Sequence, residues 1–169
     1  SRGSAMKWRI GRSAWVIPAI YAIFAIAIGI ALPRLEPRLP FALRSDISSA
    51  SAIAIYSAVA TGTMTLLAIV FSMTFVMVQF SATVYSPRLV LWLSETPLIS
   101  HALGINSGAF LYSLCAIAWV DRQNVQAVSL VGVVVTMVWL LASIGAFVAL
   151  IKRIAALQVS RMLAFTGDQ

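Results

Sequence analysis

The sequence predicts an all-α membrane protein. It should have four transmembrane helices, both termini on the cytoplasmic side, and a short interfacial helix between spans two and three. Three observations predict this. The 169 residues are 61% hydrophobic and only 10% charged, more apolar surface than a soluble domain of this size can cover. Four uncharged apolar segments each approach or exceed the roughly 20 helical residues that cross about 30 Å of hydrocarbon. The Lys and Arg residues are unevenly shared between the loops on the two sides.

Taken in order, residues 1–5, SRGSA, read as an expression scar, and Met6 reads as the native start of a single domain over 6–169. The basic stretch MKWRIGR precedes the first span, about 14–32. That apolar run ends in LPRLEPRLP, which resembles a loop and not a cleavage site, so the span is read as uncleaved. Pro18 is tolerated in its first turns. The loop PRLEPRLPFALRSD is rich in proline and charge and stays outside the bilayer.

The second span, about 48–85, opens with Asp46 or Ser48 as cap. At 1.5 Å per residue it is roughly 55–60 Å long, so it should project, tilt or break, with Gly62 the weakest point. In SPRLVLWLSETP, Ser86 and Pro87 supply a cap and a first-turn proline. Trp92 beside Arg88 and Glu95 suits an interfacial helix. Thr96–Pro97 repeats the start signal for the third span, about 98–120. DRQNVQ is a polar turn, and the fourth span, about 127–151, stops at Lys152–Arg153. The tail is read as a fraying helix.

With four spans, the termini and the 86–100 linker share a side carrying Arg2, Lys7, Arg9, Arg12, Arg88, Lys152, Arg153 and Arg161. The other side carries Arg34, Arg38, Arg44 and Arg122. This asymmetry places the termini in the cytoplasm with or without Arg2. The excess of 12 Lys and Arg over 5 Asp and Glu is explained by anionic headgroups. Nucleic acid is not an expected partner, because no basic stripe or stacking platform accompanies the charge.

No charged residue falls within a predicted span. Proton relays, coupled transporters and intramembrane enzymes usually need one. No paired carboxylate, metal-spaced His/Cys cluster or Ser/His/Asp set is present, so no catalytic residue, metal or cofactor is expected and the protein is not read as an enzyme. His101 reads as an interfacial or capping histidine, with a pH sensor as the alternative. The single cysteine, Cys115, reads as a packing residue.

The second span carries the sharpest pattern. Ser51, Ala58, Thr65, Ser72, Gln79 and Ser86 share one heptad position. Thr61, Ala68, Phe75 and Ala82 share the position three residues on. Such a seam suits a left-handed bundle. Two readings stay open. Small and hydroxylic residues let membrane helices approach closely. Alternatively, copies of this helix around an axis would line a pore with Thr61, Thr65, Ser72, Gln79, Thr83 and Ser86, with Phe75 as an apolar constriction. In the third span GINSG places Gly104 and Gly108 at the small-xxx-small spacing of close helix crossings. Ala142/Ala146 and Gly145/Ala149 repeat that spacing in the fourth and predict self-association.

The elements VFSMTFVMVQ, YSPRL and a glycine-containing span with FLY (Phe110, Leu111, Tyr112) resemble the bacterial membrane-protein family called domain of unknown function 2254. The resemblance covers Thr61 to Arg122 well and the outer spans by hydropathy. It implies a bacterial inner-membrane protein whose family usually continues into a sizeable soluble C-terminal region. By that implication the chain to Gln169 is the membrane domain of a longer protein.

The leading expectation is a homo-oligomeric channel or conduit lined by the second span, with the lipid bilayer and further copies of itself as partners. The alternative is a non-conducting membrane anchor and assembly module for a missing soluble region.

Overall fold

A computed structural model describes residues 2–38, 46–84, 97–124 and 126–166. Helix α1 spans Arg2–Leu35 and passes into a 3-10 turn at Glu36–Arg38. Strand β1 (Asp46–Ser48) leads into α2 (Ser49–Val84). Helix α3 (Pro97–Gln123) is followed by β2 (Ala127–Ser129) and α4 (Leu130–Thr166). All four helices contain a stretch long and apolar enough to cross a membrane: Trp15–Arg38, Ser49–Val76, Leu98–Gln123 and Leu130–Ala156. In lipid, only structure that satisfies its own backbone polar groups is viable, which is why such segments become helices.

Local chemistry sets the helix boundaries. The Ser51 N–H donates to Ser48 Oγ at 3.3 Å, so Ser48 is the α2 cap. Pro97 opens α3, where its missing N–H costs nothing. After α3, Asn124 adopts a left-handed φ of 50°, and its N–H donates to the Asp121 carbonyl at 3.2 Å, an αL helix stop. The Val131 N–H donates to Ser129 Oγ at 3.3 Å, so Ser129 caps α4.

The two strands form an antiparallel ribbon, with Asp46 opposite Ser129, Ile47 opposite Val128 and Ser48 opposite Ala127. The Ser49 N–H extends the ladder to the Gln126 carbonyl at 3.0 Å. Each strand's last residue is thus the cap of the helix that follows. The fourth span was expected from residue 127. Ala127–Ser129 instead pair as strand, and the helix starts at Leu130, because β1 offers backbone partners that sequence periodicity cannot register. Gly62 does not break α2, which is helical through it. The tail also stays helical to Thr166. The expected interfacial helix falls in 85–96, outside the described residues.

Helices α1 and α3 run parallel. Tyr21 lies over Gly104, and Gly29 lies over Cys115 and Tyr112. Helices α2 and α4 run antiparallel to α3. At the ribbon end Ala52, Tyr56, Ala116, Val120, Val128 and Val133 form one buried cluster. At the opposite end Val70, Ala102 and Leu150 form a second. Gly104 and Gly108 were expected to bring helix backbones together. They act instead as recesses for aromatic rings: Tyr21 fills the first, and Trp139 lies so close to the second that an added Cβ would sit 2.7 Å from Cζ2. The Trp139 indole is held there, stacked on Tyr112 and donating from Nε1 to the Ile105 carbonyl at 3.0 Å. Gly145 has nothing within 4 Å of an added Cβ, so its small-residue pair with Ala149 plays no part within the bundle.

Candidate functional site

The α2 seam faces away from its own bundle. Tyr56, Thr63 and Val70 are buried against the other helices. Ala58, Thr65 and Ser72 follow each of these by two residues, about 200° further round the helix at 3.6 residues per turn, and all three are exposed. Thr61, Ala68, Phe75 and Gln79 are exposed on the same side. Thr83 lies in α2 but its side chain is outside those described, and Ser86 is outside the described residues.

The composition of this outward strip sets it apart. From Ala54 through Ser57, Ala58, Thr61, Thr65 and Ala68 to Ser72 it runs in small or hydroxylic side chains, with exposed Met64, Ile69 and Phe71 along its borders. The outward surface of α1 carries Trp15, Ile20, Ile23 and Phe24, and that of α4 carries Val134, Val138, Leu141 and Val148, as lipid contact favours. Phe75 ends the small-residue strip and is 64% exposed. The Thr65 hydroxyl donates to the Thr61 carbonyl at 2.9 Å, which leaves its oxygen lone pairs outward as acceptors.

A second polar set lies inside the bundle. Thr63, Asn106, Ser113, Thr136 and Ser143 are all buried. Four of them are tied to their own helix: Thr63 to the Val59 carbonyl at 2.8 Å, Asn106 to Ala102 at 2.8 Å, Ser113 to Ala109 at 2.9 Å and Thr136 to Gly132 at 2.9 Å. The Gly132 carbonyl also accepts from the Tyr112 hydroxyl at 3.4 Å. Gly132 leaves room for the Tyr56 hydroxyl, which would lie 2.7 Å from an added Cβ. At the ribbon end, the Glu36 carboxylate lies beside the Ser129 side chain.

A family model described as a predicted membrane protein, DUF2254, matches residues 11–168. The chain belongs to the DUF2254 family. No curated protein and no solved structure matches it.

In this DUF2254 chain, sequence reasoning found the outward seam and missed the inward polar set. The missed signal has the same period: Tyr56, Thr63 and Val70, Asn106 and Ser113, and Thr136 and Ser143 each recur every seventh residue. His101 and Cys115 have plain structural surroundings. His101 Nδ1 lies 3.2 Å from the Tyr21 hydroxyl, with the two rings edge to face, and Cys115 backs onto Gly29. Among the described residues no three His, Cys, Asp or Glu side chains gather as a metal-ligand group.

Proposed function

We propose that this DUF2254 chain is the subunit of a homo-oligomeric membrane channel or conduit. Its path is lined by Thr61, Thr65, Ser72 and Gln79 of α2 and narrowed at Phe75; Thr83 and Ser86 continue the same line. One observation carries the reading: a continuous strip of small and hydroxylic side chains, bordered by Met64, Ile69 and Phe71, runs along the outward face of α2. Outward hydroxyl oxygens that accept hydrogen bonds suit a wet axis, and an apolar ring at Phe75 suits gating by dewetting. The seven-residue repeat keeps one face of α2 on the axis of a left-handed bundle. The reading includes no catalytic step. The Lys/Arg distribution supports cytoplasmic termini, and the family resemblance supports a bacterial inner membrane.

The test combines assembly with flux. Native mass spectrometry of the detergent-extracted protein should show a closed oligomer. In reconstituted vesicles Phe75→Ala should raise leak of ions and small solutes, and Gln79→Leu should lower it. A monomer overturns the proposal. An oligomer whose permeability is the same in both variants makes the seam a dry assembly surface, as an anchor module requires.

A further inference from the structure

Among the described residues, two buried side-chain polar atoms have no hydrogen-bond partner: Asn106 Oδ1 and Ser143 Oγ. Both side chains are fully buried. Native proteins leave few such atoms, and where they occur an internal water or ion is the usual explanation.

Flanking contacts between α3 and α4 bracket both residues. On one side, the Trp139 indole reaches the Ile105 carbonyl, and Ser143 is one turn further along α4 on that face. On the other side, Ala102 belongs to the buried cluster that also contains Leu150 and takes in Ala146 and Phe147. Ser143 lies between Trp139 and Ala146 on α4, and Asn106 lies between Ala102 and Gly108, the residue on which the Trp139 ring packs, on α3. The Asn106 amide leans back toward Ala102, donating from Nδ2 to its carbonyl at 2.8 Å, which fixes Oδ1 as the unused end.

We infer that Asn106 and Ser143 form a binding site for a single internal water between α3 and α4. The chemistry selects the ligand. Asn106 Oδ1 can only accept, so the ligand must donate a proton or be a cation. The apolar spans of α3 and α4 supply no carboxylate here, and two side-chain oxygens fall well short of the roughly six that a hard cation takes. An anion cannot donate to Oδ1. Water donates to Asn106 and can accept from Ser143 at once. The site is separate from the outward face of α2 and stands whether or not that face conducts.

The experiment is water-edited solid-state NMR on the chain in lipid bilayers with selectively labelled asparagine. The sequence has two asparagines, Asn106 and the exposed Asn124, so the second is an internal control. In the native chain the Asn106 side-chain amide should gain magnetisation from water at short mixing times. In Ser143→Val that transfer should be lost while the Asn124 signal keeps its own. A native Asn106 amide that stays dark beside a bright Asn124 overturns the inference, because it means a dry pair or a direct Asn106–Ser143 hydrogen bond. Transfer that persists undiminished in Ser143→Val overturns the shared site. The native measurement decides the first point even if the variant fails to fold, and Ser143→Ala serves for the second.

Discussion

Replacing Gly108 with Ala tests the aromatic centre of the bundle. The new Cβ would lie 2.7 Å from Trp139 Cζ2, whereas carbon atoms rest at about 3.5–4.0 Å. The indole must retreat by roughly 1 Å. It has little freedom to do so, because Nε1 is held 3.0 Å from the Ile105 carbonyl and the ring is stacked on Tyr112. A retreat of that size takes the hydrogen bond out of range. Overpacking costs about 1–3 kcal/mol, and the lost bond adds about 0.5–1.5 kcal/mol. Better helix propensity returns up to about 1 kcal/mol. The net expectation is a loss of about 0.5–3.5 kcal/mol, roughly 2- to 400-fold in the folding equilibrium. The assay is equilibrium unfolding in mixed micelles of mild detergent and sodium dodecyl sulfate, followed by tryptophan fluorescence. Gly62→Ala is the matched control. It makes the same chemical change in a helix where nothing lies within 4 Å of the added atom, so it should equal or exceed the parent in stability. Equal midpoints for the two variants would refute the packing of Trp139 into Gly108.

Trp139→Phe keeps most of the ring and removes the N–H donor, so it should cost about 0.5–1.5 kcal/mol in the same assay. Ser48→Ala removes the α2 cap and should cost about 0.5–2 kcal/mol; no loss of stability would argue against the cap. Paired cysteines at Ser48 and Ala127, opposite each other in the ribbon, should cross-link on mild oxidation, because facing strand residues lie within disulfide reach. Cysteines at Ser48 and Leu130 should cross-link far less. The double variant Thr65→Leu, Ser72→Leu fills the outward strip of α2 with bulk. It should shift the native mass spectrum toward smaller species while leaving the unfolding midpoint of the isolated subunit near the parent's.

The four spans were legible because hydropathy is local: each apolar run decides its own fate in lipid. Ser48 and Pro97 were legible as helix starts for the same reason. The ribbon was not. Its strands are three residues each, too short to show alternation, and they pair across most of the α2 and α3 sequence. That long-range pairing is what moves the start of α4 from Ala127 to Leu130. Gly104 and Gly108 could be singled out by spacing, but spacing does not say whether a backbone or a ring will occupy the recess. Tyr21 and Trp139 come from α1 and α4, and only the folded bundle brings them there. The inward polar residues were hidden by their modest chemistry. Thr63, Ser113 and Thr136 satisfy themselves on the preceding turn, so they read as ordinary members of an apolar helix. Asn106 stands inside GINSG, where the spacing draws attention to the glycines on either side.

The ribbon also sets the mechanics of the bundle. It ties the first residues of α2 to the first residues of α4, so a tilt of one against the other turns about that end as a lever turns about its fulcrum. Phe75 sits roughly 40 Å down the lever arm from Ser49, at 1.5 Å per residue. A tilt of about 10° would carry it sideways by about 7 Å, more than twice the diameter of a water molecule. The long arm multiplies displacement and divides force. A tilt of α2 about the ribbon would therefore be resisted at Val70, in the far buried cluster, and would show most at Phe75 and Gln79 beyond it.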